Sequence, residues 1–146
     1  MPSYFKASLI GITLAALIAG CPVTQAPAPG QTGCAADHPK VGMTAVIEGI
    51  SHGVAGTARI VDNCTIVIEH FYYDGIALDP HVVGGKADDS DLIVLSESIF
   101  RLGGYQDETL TVTLPEGVTL DDIERIGIAC IPLGVFPLSF GAGTFQ

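Results

Sequence analysis

From Thr109 to Leu114 the chain reads Thr-Leu-Thr-Val-Thr-Leu, placing three hydroxyls on one side and three apolar side chains on the other. A period of two marks a half-buried β-strand, because successive side chains leave opposite faces of the pleat. The same period, or a short β-branched run, recurs over residues 43–50, 55–61, 65–72, 81–84, 91–95 and 126–131. Turn signals separate these runs at Asp62-Asn63, Asp74-Gly75, Gly84-Gly85, Gly103-Gly104 and Pro115-Glu116-Gly117. Between Thr119 and Ile126 the period breaks, and Thr119 followed three residues later by Asp122 predicts one capped helical turn. There is no internal repeat. The pattern predicts an all-β fold, an antiparallel β-sandwich or partly closed barrel of seven to nine short strands.

At 146 residues there is room for one such domain and a targeting segment. Sixteen Asp and Glu against six Lys and Arg give a formal charge of −10, which repels phosphate backbones and excludes a nucleic-acid partner.

The first twenty residues read as a leader. Lys6 precedes the apolar run 7–19, which at thirteen residues is too short to span a bilayer, and Ile18-Ala19-Gly20-Cys21 follows directly. Small residues leading into a cysteine resemble a bacterial lipobox. The expectation is a lipoprotein signal peptide over 1–20, lipidation (palmitate) at Cys21, a Pro/Ala/Gly-rich tether within 21–40 and a β domain over 41–146. The acylated Cys21 makes the lipid bilayer a partner and places the domain in the bacterial cell envelope, outside the cytoplasm. Residue 22 is Pro rather than Asp, so the inner-membrane retention signal is missing and the outer membrane is favoured for a Gram-negative cell.

With Cys21 assigned to lipid, Cys34, Cys64 and Cys130 are left, an odd number that allows one disulfide and one spare thiol. Cys64 shares strand parity with Ile66 and Ile68, and Cys130 with Ile126 and Ile128, which suits a Cys64–Cys130 bridge across the core with Cys34 spare. The other pairing joins Cys34 to Cys64, pins the tether to the first hairpin and leaves Cys130 free. A third reading keeps the thiols as small buried hydrophobes.

The remaining chemistry is sparse. His38, His52, His70 and His81 show no helical metal-ligand spacing, and no CxxCH is present for covalent c-type haem. Asp88, Asp89 and Asp91 lack the DxDxDG spacing of a calcium loop and read as a solvated acidic turn, so no metal is assigned. Tyr72, Tyr73 and Asp74 read as an aromatic strand running into a turn. Ser51 and His52 are adjacent, which in a strand points them to opposite faces, and GxSxG, HExxH and phosphate-loop motifs are missing, so substrate turnover is not expected.

The segments Ser51-His52-Gly53-Val54-Ala55-Gly56-Thr57-Ala58-Arg59-Ile60-Val61-Asp62, Thr65-Ile66, Phe71-Tyr72-Tyr73-Asp74-Gly75, Leu110 to Glu116, Thr119 to Ile123, and Ile126 to Cys130 follow one another in an order that resembles the electron-transfer DM-thirteen (DM13) domain family. The resemblance runs over roughly residues 43–143. It implies a β-rich extracytoplasmic domain, found beside DOMON domains or alone in lipoproteins, with a role in electron transfer. It also implies that Cys130, matching the family's cysteine, acts as a bare redox thiol or helps to hold a prosthetic group such as haem. His52, inside the shared motif, is then the candidate cofactor-binding residue, ahead of His70 and Met43. Three positions depart from the family pattern: Ala129 stands where an aromatic residue is common, Ile76-Ala77-Leu78 replaces a glycine-rich stretch, and Cys64 is additional. The leading expectation is a membrane-anchored redox domain centred on Cys130 that meets a redox or cell-surface protein. Its alternative is a non-enzymatic interaction module whose cysteines are structural.

Overall fold

The structure, a computed structural model, describes residues 34–88, 91–131 and 138–146. The expected leader, Cys21 and the tether as far as residue 33 lie outside them, as does Asp89. Among the described residues no helix is long and apolar enough to cross a membrane.

Among the described residues, eight strands form the fold: β1 (Thr44–Gly49), β2 (Ala55–Asp62), β3 (Thr65–Tyr73), β4 (Pro80–Gly85), β5 (Leu92–Val94), β6 (Tyr105–Thr113), β7 (Arg125–Cys130) and β8 (Leu138–Thr144). A single 3₁₀ turn, η1 (Leu120–Asp122), starts at Thr119, whose backbone N–H and hydroxyl both donate to Asp122 Oδ2 at 2.9 and 2.8 Å. Every pairing is antiparallel, in the order β5-β4-β7-β8-β1-β2-β3-β6. The all-β expectation is met, with eight strands within the expected seven to nine.

The sheet curls because β1 serves two neighbours. Residues Thr44 to Ile47 pair with β2, while Glu48 and Gly49 pair with β8. Register shifts within β2–β3, β3–β6 and β7–β8 add local twist, as β-bulges do. The result is a half-barrel whose concave side buries Ile47, Ile60, Ile66, Ile68, Phe71, Tyr73, Ile126 and Ile128, with Leu120 and Ile123 of the η1 segment in the same cluster. The alternation of β7 shows the arithmetic: Ile126 and Ile128 face the core, and Cys130 at the strand's end packs against it while half-buried.

β8 was not among the expected strands. Leu-Ser-Phe-Gly-Ala-Gly-Thr carries little β propensity, yet its glycines are required where it lies beside β1. A Cβ on Gly141 would stand 2.7 Å from the Glu48 carbonyl oxygen, and one on Gly143 would collide with the carbonyl of Val46. Close approach, rather than side-chain packing, selects these residues.

The connections fall at two ends. One end holds the loops β1–β2, β3–β4 and β5–β6 together with Cys130. The opposite end holds the segment from Cys34, the β2–β3 turn and η1. There Lys40 Nζ donates to the carbonyls of Leu120 and Ile123 at 2.7 and 2.9 Å, and Asn63 N–H donates to Ala35 O at 2.8 Å.

Candidate functional site

The cysteine pairing defines what is chemically available. Cys34 and Cys64 form the disulfide, with Cα atoms 5.2 Å apart, and Cys130 is free. This is the second of the two pairings open to the sequence. The cross-core bridge from Cys64 to Cys130 does not form because Cys64 is not a strand residue. It belongs to the β2–β3 turn, with its N–H on Asp62 Oδ1 at 2.8 Å, so the inward parity of Ile66 and Ile68 does not extend back to it. Cys64 and Cys130 sit at opposite ends of the half-barrel. Cys34, Asp62 and Cys64 also bring possible metal ligands together, but with the two sulfurs joined the group is a disulfide.

Cys130 lies at the loop end, opposite Pro80 of β4 and in register with Leu138 of β8. Its surroundings are built by two turns. Ser51 to Val54 closes β1 onto β2, with Val54 N–H on Ser51 O and consecutive positive φ values at His52 (56°) and Gly53 (59°), the pattern of a type I′ hairpin turn. Ser51 and His52 are therefore turn residues, not the strand neighbours that parity supposed. His52 tolerates left-handed backbone because it is held from several sides: Nδ1 is 3.2 Å from Asp74 Oδ2, the His52 carbonyl accepts Asp74 N–H at 3.0 Å, and the ring meets Phe140 edge-on at 4.5 Å. Asp74 also accepts Ile76 N–H at 2.9 Å, so one carboxylate ties the β1–β2 and β3–β4 loops together.

Tyr73 packs beside this cluster, in the core that Cys130 also borders. Its phenol is 1% exposed and donates to Ala77 O at 2.9 Å. Burial, followed by the nearby Asp74, Cys130 and Tyr105, raises its pKa above the ordinary value of 10.0, although the bond to Ala77 acts in the opposite sense. The Tyr73 ring lies 6.4 Å from that of His52, and Tyr73 belongs to the core cluster against which Cys130 packs. Parity makes Tyr73 legible as a core residue; only the folded topology shows that it neighbours the cysteine.

The other histidines are dispersed. His38 pairs with Asp121 at the far end, His70 with Asp107 on the β3–β6 pair, and His81 with Asp79 beside β4. Neither His70 nor Met43, which precedes β1 at the far end, is placed with Cys130.

Haem, which the DM13 resemblance raises for Cys130, does not suit the described residues. The polar groups on this side already satisfy one another, Tyr73 with Ala77 and His52 with Asp74. A flat macrocycle would have to displace Phe140 or Tyr73 from packed positions. The chemistry on offer is that of one half-buried thiol, a neighbouring phenol and a histidine–carboxylate pair.

A small β domain that joins two cysteines at one end and leaves a third free at its loop end is, as a class, a disulfide-stapled domain carrying one thiol. Comparison makes this specific: residues 47–142 match the family described as Electron transfer DM13, and the chain belongs to that family. It is 32% identical over 111 residues to Protein Skeletor, isoforms B/C, of Drosophila melanogaster, covering 72% of this chain and 14% of that protein. Isoforms D/E match at the same identity over the same length, covering 7% of that protein. The chain thus spans a small part of the curated relatives it matches. No solved structure matches it significantly.

Proposed function

We propose that this chain is a lipid-anchored, extracytoplasmic electron-transfer domain whose reacting group is the Cys130 thiol. Family membership supports an electron-transfer role. The observation that carries the finer reading is the division of the cysteines: Cys34 and Cys64 are spent on a disulfide, while Cys130 is free, half-buried and at the loop end. Anchoring at Cys21 is supported by the sequence at 18–21.

The chemistry is thiol–disulfide exchange. Cys130 loses its proton and attacks one sulfur of a partner's disulfide. A Cys130–S bond forms as the partner's S–S bond breaks, and the departing sulfur leaves as a thiolate that takes up a proton. Cys130 is oxidised and the partner reduced by the same electron pair. With Cys34 and Cys64 already joined, a small-molecule thiol attacks Cys130 Sγ in the mixed disulfide and releases the partner's second sulfur as a thiol; a second molecule of that thiol then takes the first away as its disulfide and returns Cys130 as a thiol, so two small thiols are oxidised for each partner disulfide reduced.

The interaction-module alternative gains support from the Cys34–Cys64 bridge, which ties the segment before β1 to the β2–β3 turn. Alkylation of the lipidated full chain without reductant, read by mass spectrometry, separates the two. The redox reading expects Cys130 to be labelled in the native protein and to take up a glutathionyl group from glutathione disulfide. Labelling of Cys130 only after denaturation overturns it.

A further inference from the structure

Three loops, residues 50–54, 74–79 and 95–104, meet at the end that holds Cys130. They touch in sequence: His52 O accepts Asp74 N–H, and a Cβ on Gly75 would stand 2.6 Å from Arg101 O. Their tips carry Ile50, Ile76, Leu78, Phe100 and Leu102, each between 42 and 86% exposed. Those are five of the nine large apolar side chains exposed among the described residues. Concentration of this kind at one end marks an interaction surface.

The charge around the tips is one-sided. Glu48, Asp74, Asp79 and Glu97 lie on or beside these loops. Of the Lys and Arg among the described residues, Arg101 alone is on them, and Glu108 holds its guanidinium. Lys40 and Lys86 are at the far end, against η1.

We propose that the loop end docks a redox protein whose contact face is apolar at its centre and rimmed by Lys or Arg. This partner rests on the Cys130 reading. An apolar centre with complementary rim charge suits the small, transient interfaces of electron transfer, where charge guides encounter and apolar contact sets orientation. The same carboxylates disfavour the other occupants. An anionic bilayer repels them, and a two-fold dimer through this end would set one acidic rim against its copy.

The test uses the ¹⁵N-labelled full chain and cytochrome c, a basic carrier, as the probe, at low salt. Amide shifts should change at residues 50–54, 74–79 and 95–104. Leu78→Ser with Leu102→Ser, and separately Glu97→Lys, should each weaken binding at least tenfold, while Asp121→Lys at the far end leaves it unchanged. Shifts centred on Asp121 and Glu124, no loss in the loop variants, binding to neutral phosphatidylcholine vesicles instead of cytochrome c, or a dimer dissolved by Leu102→Ser would each overturn the proposal. Cys130→Ser should dock as the parent does. Docking by a chain whose Cys130 resists native alkylation would keep the surface and remove the thiol reading alone.

Discussion

His70 Nδ1 lies 2.7 Å from Asp107 Oδ1, and both residues hold left-handed backbone, with φ of 52° and 56°. They sit where the register of β3 against β6 shifts, so two irregular backbones face each other and their side chains close the gap. This carboxylate, first by hydrogen bonding and then by charge, raises the pKa of His70 above 6.5. A raised folded value means that the pair stabilises the fold fully below pH 6.5, and that this contribution is lost as pH rises through the folded value. Asp107→Asn, which keeps a residue tolerant of left-handed backbone, should bring the His70 midpoint down towards 6.5 in an NMR titration. An unmoved midpoint would show that the pair does not exist in solution.

The carboxylates run the other way. Asp122 is held below its ordinary 3.8 by the Thr119 N–H and then its hydroxyl. Glu108 is held below 4.5 by Arg101. Stability from such groups is present above their ordinary values and lost as pH falls through the depressed ones. Asp122→Asn should therefore make the acid side of the stability profile shallower between about pH 5 and 2. Urea midpoints across that range measure it, and an unchanged slope would count against the cap.

The two kinds of cysteine should separate cleanly in unfolding experiments. The Cys34–Cys64 bridge closes a sequence separation of 30. The loop-entropy argument gives it about 3 to 4 kcal/mol, which the Cys34→Ala/Cys64→Ala double variant should lose. Cys130→Ser removes no bridge and should cost under about 1 kcal/mol. Equal losses would mean that Cys130 is paired after all.

Neighbouring glycines test the contact between loops. Gly104 has φ +65°, and a Cβ there would stand 2.8 Å from Gly75 N. Gly103 is also left-handed, at +85°, but faces open space. Gly104→Ala should cost about 3 kcal/mol, from backbone strain plus collision. Gly103→Ala should cost only about 1 kcal/mol, the backbone penalty alone. Thermal or urea unfolding of the two variants gives the comparison.

Much of the architecture was readable from periodicity, because burial on one face imposes a period of two wherever side chains do the packing. Thr109 to Leu114, the Ile126–Ile128–Cys130 parity and the Thr119–Asp122 cap all appear where expected. β8 escaped because Gly141 and Gly143 are selected by the nearness of β1's backbone, which leaves no hydrophobic signature. The disulfide turned on whether Cys64 was the last residue of a turn or the first of a strand, a one-residue difference that reverses where a side chain points. The juxtaposition of His52, Tyr73 and Cys130 depends on non-adjacent strands returning to one end, and no local pattern encodes it.

The two-sided use of β1 bears on the order in which the chain matures. Thr44 exchanges backbone hydrogen bonds with Gln146, at 3.2 and 3.0 Å, so the first strand is completed only once residue 146 has been made. A ribosome releases Cys34 and Cys64 well before Cys130. The two that bond are neighbours in that order, and they need only the segment before β1 and the β2–β3 turn in order to meet. Cys130 takes its place later, with β7, and the length of the strands keeps it from the pair.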